Sequence, residues 1–447
     1  MMAPRTRLLL MTAIVAIPLI TLAGMGLSVS PMALVTVLAL ALLVLGDALM
    51  TQGRARQYGA DLPDVIRMTK DRESTIPIRL AQAEGGGRLR VGLRFPAVFE
   101  VDSDAREVQL PEGETMSTIT WACTPLRRGN YVLDTVYVET SSPLGFWASR
   151  AEVSTRCEIR VYPNLREERR DLAALFLHRG SFGLHVQRQI GKGREFDQLR
   201  DYIPGDSFDD IHWKATARRG QPITKVYRIE RTQEIYVVID ASRLSARRPP
   251  ERTQTAAGHT SHLERFLTAA LVLGLAAEKQ GDHFGVAVFD DRVRQFVRAG
   301  SGTAHYGICR DAIYRTEPRL VNPDYRELAS FLRQRLRRRA LLIVLTNLDD
   351  PVLSEDYTRA AELLGRRHLV LTGMMTPPQA RPLFHDTDVE TPEDIYRDLA
   401  GHFQWHDLRE LERVLHRHGV TFTLIENERL CVELVSRYIN IKQRQLL

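Results

Sequence analysis

Hydroxyl and carboxylate side chains gather in three short stretches of the C-terminal half. Asp240, Ser242 and Ser245 follow one apolar run, Ser301 and Thr303 precede a helical period, and Thr346, Asn347, Asp349 and Asp350 follow a second apolar run. In open α/β sheets ligands sit outside the carboxyl ends of the strands, so these loops are where chemistry is to be sought. A second string, residues 191–218, sets Glu195, Arg200, Asp201, Asp206 and Arg218 among Tyr202 and Trp213. Both signs of charge beside aromatic rings suit bidentate ion pairing and stacking. Other chemistry lacks its residues. There is no G-x-x-x-x-G-K-[ST] loop, no G-x-S-x-G elbow and no H-E-x-x-H helix. His259 and His262 lack a further ligand at a suitable spacing, and His416 and His418 read as helix-end residues that complement the dipole. Five arginines within 333–339 read as a solvated helix end, and without interleaved aromatics no nucleic acid is expected as a partner.

The elements that must hold these loops read clearly. From residue 235 onward, apolar runs at 235–239, 284–289, 341–345, 368–372 and 421–425 alternate with helical periods at 262–279, 325–337, 356–364, 392–416 and 429–442. Strand then helix, repeated, specifies a parallel sheet covered on both faces, an α/β doubly wound domain over 235–447. Residues 58–165 change to a period of two. Alternating segments at 75–80, 88–93, 117–121 and 131–133 lie between turn signals at Gly85-Gly86-Gly87, Pro111-Glu112-Gly113 and Arg128-Gly129-Asn130. Short alternating strands at this spacing predict a β-sandwich domain. Phe146 and Trp147, beside a turn, read as core packing or as a docking tip. Residues 166–234 form a connector.

No charged residue occurs from 8 to 46. Residues 8–27 are long enough to cross a bilayer as a helix, Ser28, Val29, Ser30 and Pro31 supply a turn, and 32–50 form a second apolar segment. Residues 1–57 are therefore expected to be a transmembrane helical hairpin, longer than the apolar core of a cleaved signal peptide. Arg5 and Arg7 precede it, Arg54 and Arg56 follow it, and the turn has no basic residue, which places both termini in the cytoplasm and the chain in the inner, cytoplasmic membrane. Asp47, one turn from the end, reads as a hydrated interfacial residue, with an intramembrane functional carboxylate as the alternative.

The 447 residues suggest two or three domains, and 44% apolar with 26% charged residues excludes a disordered or fibrous chain. A net charge of +6 is too small at this length to name a partner. Cys123, Cys157, Cys309 and Cys431 are far apart, which fits buried thiols in a reducing compartment and neither a disulfide framework nor a cysteine zinc site.

Two resemblances add to this reading. The three oxygen-rich loops resemble the metal-ion-dependent adhesion site of von Willebrand factor A domains, in which D-x-S-x-S, a separate Thr and a second Asp hold a divalent cation. That resemblance implies a Rossmann-like A domain and a magnesium site of Asp240, Ser242 and Thr303. Leu244 stands in place of the second serine and Asn347 in place of the second aspartate, with Ser245, Asp349 or Asp350 as compensating ligands if the loops are shifted. The string Gly191-Lys192-Gly193-Arg194-Glu195-Phe196, Leu199-Arg200-Asp201-Tyr202-Ile203-Pro204-Gly205-Asp206, Ile211-His212-Trp213-Lys214 and Ala217-Arg218 resembles the signature of the bacterial family catalogued as domain of unknown function fifty-eight. Asp209 departs from the arginine common there. The resemblance implies membrane helices, a β-rich domain and an A-like domain along nearly the whole chain, and a partner among MoxR-type AAA+ ATPases and envelope proteins.

The sequence thus points to a multidomain, membrane-anchored, non-enzymatic interaction protein. Glu195, Arg200, Asp206, Trp213 and Arg218 form either a structural brace or the surface that the ATPase grips. The alternative is a magnesium-dependent phosphoryl-transfer or hydrolytic enzyme using Asp240 with Asp349 or Asp350.

Overall fold

The structure, a computed structural model, describes residues 1–24, 31–82, 87–111, 116–178, 190–204, 206–228, 233–247, 261–383 and 391–444. The chain divides into two compact units, Met1–Asn164 and Leu165–Leu447.

Two apolar helices, Thr6–Gly24 and Pro31–Thr51, lie near the start of the first unit. Ser28, Val29 and Ser30 fall outside the described residues. Pro31 begins the second helix instead of ending the turn, because a fixed φ and a missing N–H suit the first helical position. The stretch Leu34–Gln57 is long and apolar enough to cross a membrane, whereas Thr6–Thr21 is a shorter apolar helix. Asp47 is not the hydrated residue expected. It is only 3% exposed, and its Oδ1 accepts a hydrogen bond from the Leu144 N–H at 3.1 Å. That donor offsets part of the cost of burial, while Oδ2 is buried without a hydrogen-bond partner.

Strands of this unit form two sheets. One has the order Met2–Pro4, Trp147–Tyr162, Gly129–Ser141, Gly87–Leu93, Ala105–Leu110, with Val65–Thr69 pairing parallel to Trp147–Tyr162. The other has the order Tyr58–Asp61, Ser74–Gln82, Met116–Pro125, Phe99–Glu100. Side chains alternate across a strand, so Ile76, Ile78 and Trp121 of one sheet meet Leu89, Val91, Val136 and Val138 of the other in a single core. Of the expected turns, Gly85 and Gly86, with Glu112 and Gly113, lie outside the described residues.

The second unit contains a six-stranded sheet in the order Val293–Gly300, His283–Phe289, Glu234–Asp240, Leu341–Leu345, Leu369–Met375, Thr421–Ile425. The last five are parallel, matching the five apolar runs, and the first is an antiparallel edge. That edge strand escapes a search for apolar runs because Arg294, Gln295 and Arg298 interrupt it and its residues are mostly half-buried. Helices cover both faces. His262–Lys279 and Leu430–Gln443 pack on one, with Leu263, Phe266 and Leu434 buried. Tyr325–Arg335, Pro351–Gly365 and Pro392–Arg417 pack on the other, with Leu328, Tyr357 and Leu408 buried.

The segment before this sheet also belongs to the second unit. A helix, Arg166–His178, contributes Leu172 to the first of those cores. The strand Ile190–Asp201 pairs antiparallel with Ile223–Arg228, and a short helix, Trp213–Arg219, lies between them. The cysteines are all free and buried. Burial pushes the thiols of Cys123 and Cys157 up to about 11 and that of Cys309 to about 12, so they stay protonated and unreactive.

Candidate functional site

Asp240 ends the central strand and is fully buried. Its Oδ2 accepts from the Thr346 hydroxyl at 2.6 Å, and its Oδ1 from the Ser242 N–H at 2.8 Å. Thr346 is reached in turn by the Tyr325 hydroxyl at 2.8 Å. Burial raises the Asp240 pKa, against the hydrogen bonds from Thr346 and Ser242, and the neighbouring Asp290 raises it further. Ser245 donates its hydroxyl to the carbonyls of Asp240 and Ser242, at 2.7 and 3.0 Å. The Ser242 hydroxyl accepts from the Leu244 N–H at 3.3 Å.

Thr303 is not part of this cluster. Gly300 pairs with Phe284, which pairs with Ile235, while Asp240 pairs with Phe289. The antiparallel edge strand therefore carries Thr303 to the amino end of the parallel strands, while Asp240 sits at the carboxyl end. Five residues of strand, roughly 17 Å, separate the two levels. The Thr303 hydroxyl instead donates to Glu278 at 2.8 Å.

The loop that does approach Asp240 precedes the helix Tyr325–Arg335. Arg319 N donates to the Ala241 carbonyl at 2.8 Å, and Arg243 N to the Val321 carbonyl at 3.0 Å. The same loop bonds Asp290, a buried carboxylate absent from the expected site residues, whose carbonyl accepts from Asp324 N at 2.9 Å. Asp290 takes two hydrogen bonds from Arg294 Nε, at 2.7 and 2.8 Å, and lies 3.6 Å from Arg319. Its signal was its place, since it follows the strand His283–Phe289 as Asp240 follows its own.

The three residues expected to hold magnesium are not gathered, because Thr303 lies at the opposite end of the strands from Asp240 and Ser242. Leu244 is buried and has no ligand atom. Asn347 directs its amide nitrogen to the Leu244 carbonyl at 3.2 Å and to His262 Nδ1 at 2.9 Å. Of the compensating aspartates, Asp349 pairs with Arg247 through Oδ2 and keeps a buried Oδ1 without a hydrogen-bond partner, while Asp350 lies 3.3 Å from Arg243 and caps the helix Pro351–Gly365. Among the described residues no group of three or more His, Cys, Asp or Glu is arranged to hold a metal. Arg243, Arg247 and Arg319 supply the positive charge at this mouth, with side chains 39%, 43% and 53% exposed. Magnesium titrated to millimolar concentration into the purified protein is expected to give no binding heat by calorimetry. Saturable heat that Asp240→Asn abolishes would restore the cation.

His262 is the first residue of its helix, and His259 falls outside the described residues. Desolvation, reinforced by Arg247, holds the His262 imidazole down at about 4, against an opposing pull from Asp349. His368, buried before the strand Leu369–Met375, is also lowered to about 4, first by desolvation and then by Arg367 and Arg339. An unfolded histidine titrates near 6.5. Between about pH 6.5 and 4 the unfolded chain therefore binds more protons, and stability falls as pH falls. Each histidine is expected to contribute at most about 3 kcal/mol to that loss. His368→Leu should flatten the slope of unfolding free energy against pH, as read by urea melts at several pH values.

The signature residues belong to the separate two-stranded sheet and the short helix beside it. Arg200 Nη2 meets Asp206 Oδ1 at 2.7 Å, and the Ile203 N–H donates to Asp206 Oδ2 at 3.1 Å. That N–H first, then Arg200, holds the Asp206 carboxyl below the usual range. Arg200 and Asp206 thus form a close ion pair just after the strand. Glu195 pairs through its backbone with Arg228, and its side chain lies outside the described residues. Trp213 begins the short helix and is 68% exposed. Phe208 and Ile203 are 73% and 55% exposed, and Phe208 stacks on Tyr202 with centroids 6.0 Å apart. Arg218 is exposed on the last turn of the same helix.

Residues 198–394 match the family model described as protein of unknown function DUF58. This segment belongs to that family. The DUF58 region runs from the strand holding Arg200 through five strands of the sheet, all but Thr421–Ile425, to the start of the helix Pro392–Arg417. It is shorter than the near-complete resemblance expected from the sequence. The uncharacterised protein YeaD of Bacillus subtilis is 24% identical over 178 residues, which are 34% of this chain and 42% of that protein. The chain thus spans about 42% of the length of the curated relative it matches. Among solved structures, the conserved hypothetical protein BatB of Bacteroides thetaiotaomicron is 14% identical. It covers 47% of this chain and 99% of its own, at a TM-score of 0.31. An aerotolerance-related membrane protein of Bacteroides fragilis is 12% identical, covering 46% and 98% at a TM-score of 0.29.

Proposed function

We propose that the protein is a membrane-anchored, non-enzymatic interaction module whose second unit docks other proteins, a MoxR-type AAA+ ATPase among them. The observation that carries this reading is the exposure of Ile203, Phe208 and Trp213 in the DUF58 region. Large apolar side chains standing in water beside basic residues are what a partner covers, and aromatic residues of this kind dominate binding energy. The ATPase as partner follows from the family resemblance of the signature.

The strand-end mouth supports the same reading. We read the six-stranded unit as von Willebrand A-like, with Asp240 and Ser242 kept as internal hydrogen-bonding groups. Arg243, Arg247 and Arg319 then face an acidic side chain of a partner directly, with no intervening cation. The apolar helices form an anchor hairpin in the inner membrane with both termini cytoplasmic, on the strength of the basic flanks. Anchoring raises the local concentration of the module near membrane clients.

The test is retention of the ATPase on the full-length protein after in-membrane crosslinking and affinity purification. An AAA+ ATPase is expected among the crosslinked proteins. Its absence while other membrane proteins are recovered would overturn the assignment.

A further inference from the structure

The contact between the second apolar helix and the 142–147 loop sets a depth. The helix Pro31–Thr51 has 21 residues, and at 1.5 Å each it is about 31 Å long, close to the roughly 30 Å of hydrocarbon in a bilayer. The Trp147 indole N–H donates to the Val44 carbonyl at 3.1 Å, and the Leu144 N–H to Asp47 at 3.1 Å. Val44 and Asp47 precede the end of that helix by seven and four residues, roughly 10 and 6 Å of rise. A loop bonded at those positions reaches the level of the acyl boundary whenever the helix crosses the bilayer.

The first helix marks the same level. Arg7, the last charge before its apolar run, lies against Gly145, whose added Cβ would come within 3.1 Å of the Arg7 guanidinium. Arg5 N donates to the Phe146 carbonyl at 2.9 Å. Arginines at this position reach out to headgroups while the residues after them enter lipid.

Four of the five backbone N–H groups of residues 142–147 have a partner inside the protein. Backbone donors in lipid must be satisfied internally. Ser142 N donates to the Trp147 carbonyl at 2.8 Å, and Gly145 N to the Ser142 carbonyl at 3.0 Å. Trp147 N donates to the Ser142 hydroxyl at 3.0 Å. Residue 143 is a proline with no N–H to satisfy, and Asp47 takes the Leu144 N–H. The apolar Leu144 side chain is left 48% exposed at the tip.

We propose that the 142–147 loop is a wedge seated in the headgroup–acyl boundary of the bilayer, with Leu144 in lipid and Asp47 as its tether. This rests on the reading that Pro31–Thr51 crosses the membrane, and the experiment separates the two. Because the native cysteines are buried, nitroxide labels attach selectively to Leu144→Cys, to Leu38→Cys on the helix and to Leu126→Cys on the β unit, Leu38 and Leu126 being exposed. Power saturation with oxygen and a nickel chelate in phosphatidylcholine–phosphatidylglycerol nanodiscs reads the depth of each label. Leu38 is expected deep, Leu144 shallow but in lipid, and Leu126 aqueous. Leu38 in lipid with Leu144 as aqueous as Leu126 would overturn the wedge alone. An aqueous Leu38 would overturn the membrane reading and the wedge together. Asp47→Ala should release the Leu144 label to water with Leu38 unmoved, whereas Asp47→Asn, which retains an acceptor, should hold it. An unmoved Leu144 label in Asp47→Ala would overturn the tether.

Discussion

Gly285→Ala is expected to destabilise the second unit by roughly 3 kcal/mol, lowering its melting temperature by roughly 6–12 °C. Gly285 lies in the strand His283–Phe289, and a Cβ there would stand 2.7 Å from the Val297 carbonyl and 2.7 Å from the Tyr236 ring. A backbone carbonyl of a paired strand cannot swing aside. Nor can Tyr236, which is buried, stacked on Phe296 at 5.8 Å and hydrogen-bonded through its hydroxyl to Ala299 N at 3.2 Å. The measurement is a thermal melt followed by far-UV circular dichroism. The variant also reports on the candidate site, because the approach to the Val297 carbonyl exists only if Val293–Gly300 pairs along this strand in the register that sends Thr303 away from Asp240. A melt unchanged within the error of the method would remove that register and reopen Thr303 as a neighbour of Asp240.

The second large effect is on partner capture. Replacing both Phe208 and Trp213 by alanine is expected to weaken retention of the AAA+ ATPase by at least roughly 30-fold, the equivalent of about 2 kcal/mol for an aromatic anchor. Both side chains are mostly in water, so removing them should leave the melting temperature nearly unchanged. Arg200→Glu provides the contrast. It breaks the 2.7 Å pair with Asp206 and sets two carboxylates together at a partly buried turn, so it should disrupt folding locally along with binding. Titration of the detergent-solubilised protein against the ATPase, beside melts of each variant, separates the outcomes. Wild-type capture by the double variant would remove these aromatics from the interface.

The elements of the second unit were legible because their signals are local. Parallel strands buried on both faces must be continuous apolar runs, and the five runs from 235 to 425 became five strands. The helix His262–Lys279 has the bounds that its periodicity predicts, with Ser261 as its N-cap accepting from Glu264 N. The charged and aromatic string of the DUF58 region was equally visible, since types and spacing are properties of the chain itself.

Which loops meet was not local. Whether Thr303 joins Asp240 depends on the direction of an edge strand whose arginines hide it from any hydrophobic pattern, and that direction is decided by pairing with a strand already in the sheet. Asp290 reaches the cluster because two strands adjacent in space end at one level. Asp47 reads as a surface carboxylate until a loop 97 residues away supplies its donor. By itself the sequence determined the strands, the helices and the kinds of groups at their ends. The tertiary structure decided which of those groups share a site, because hydrogen-bond partners and burial are set by sheet order and packing between segments far apart in the chain.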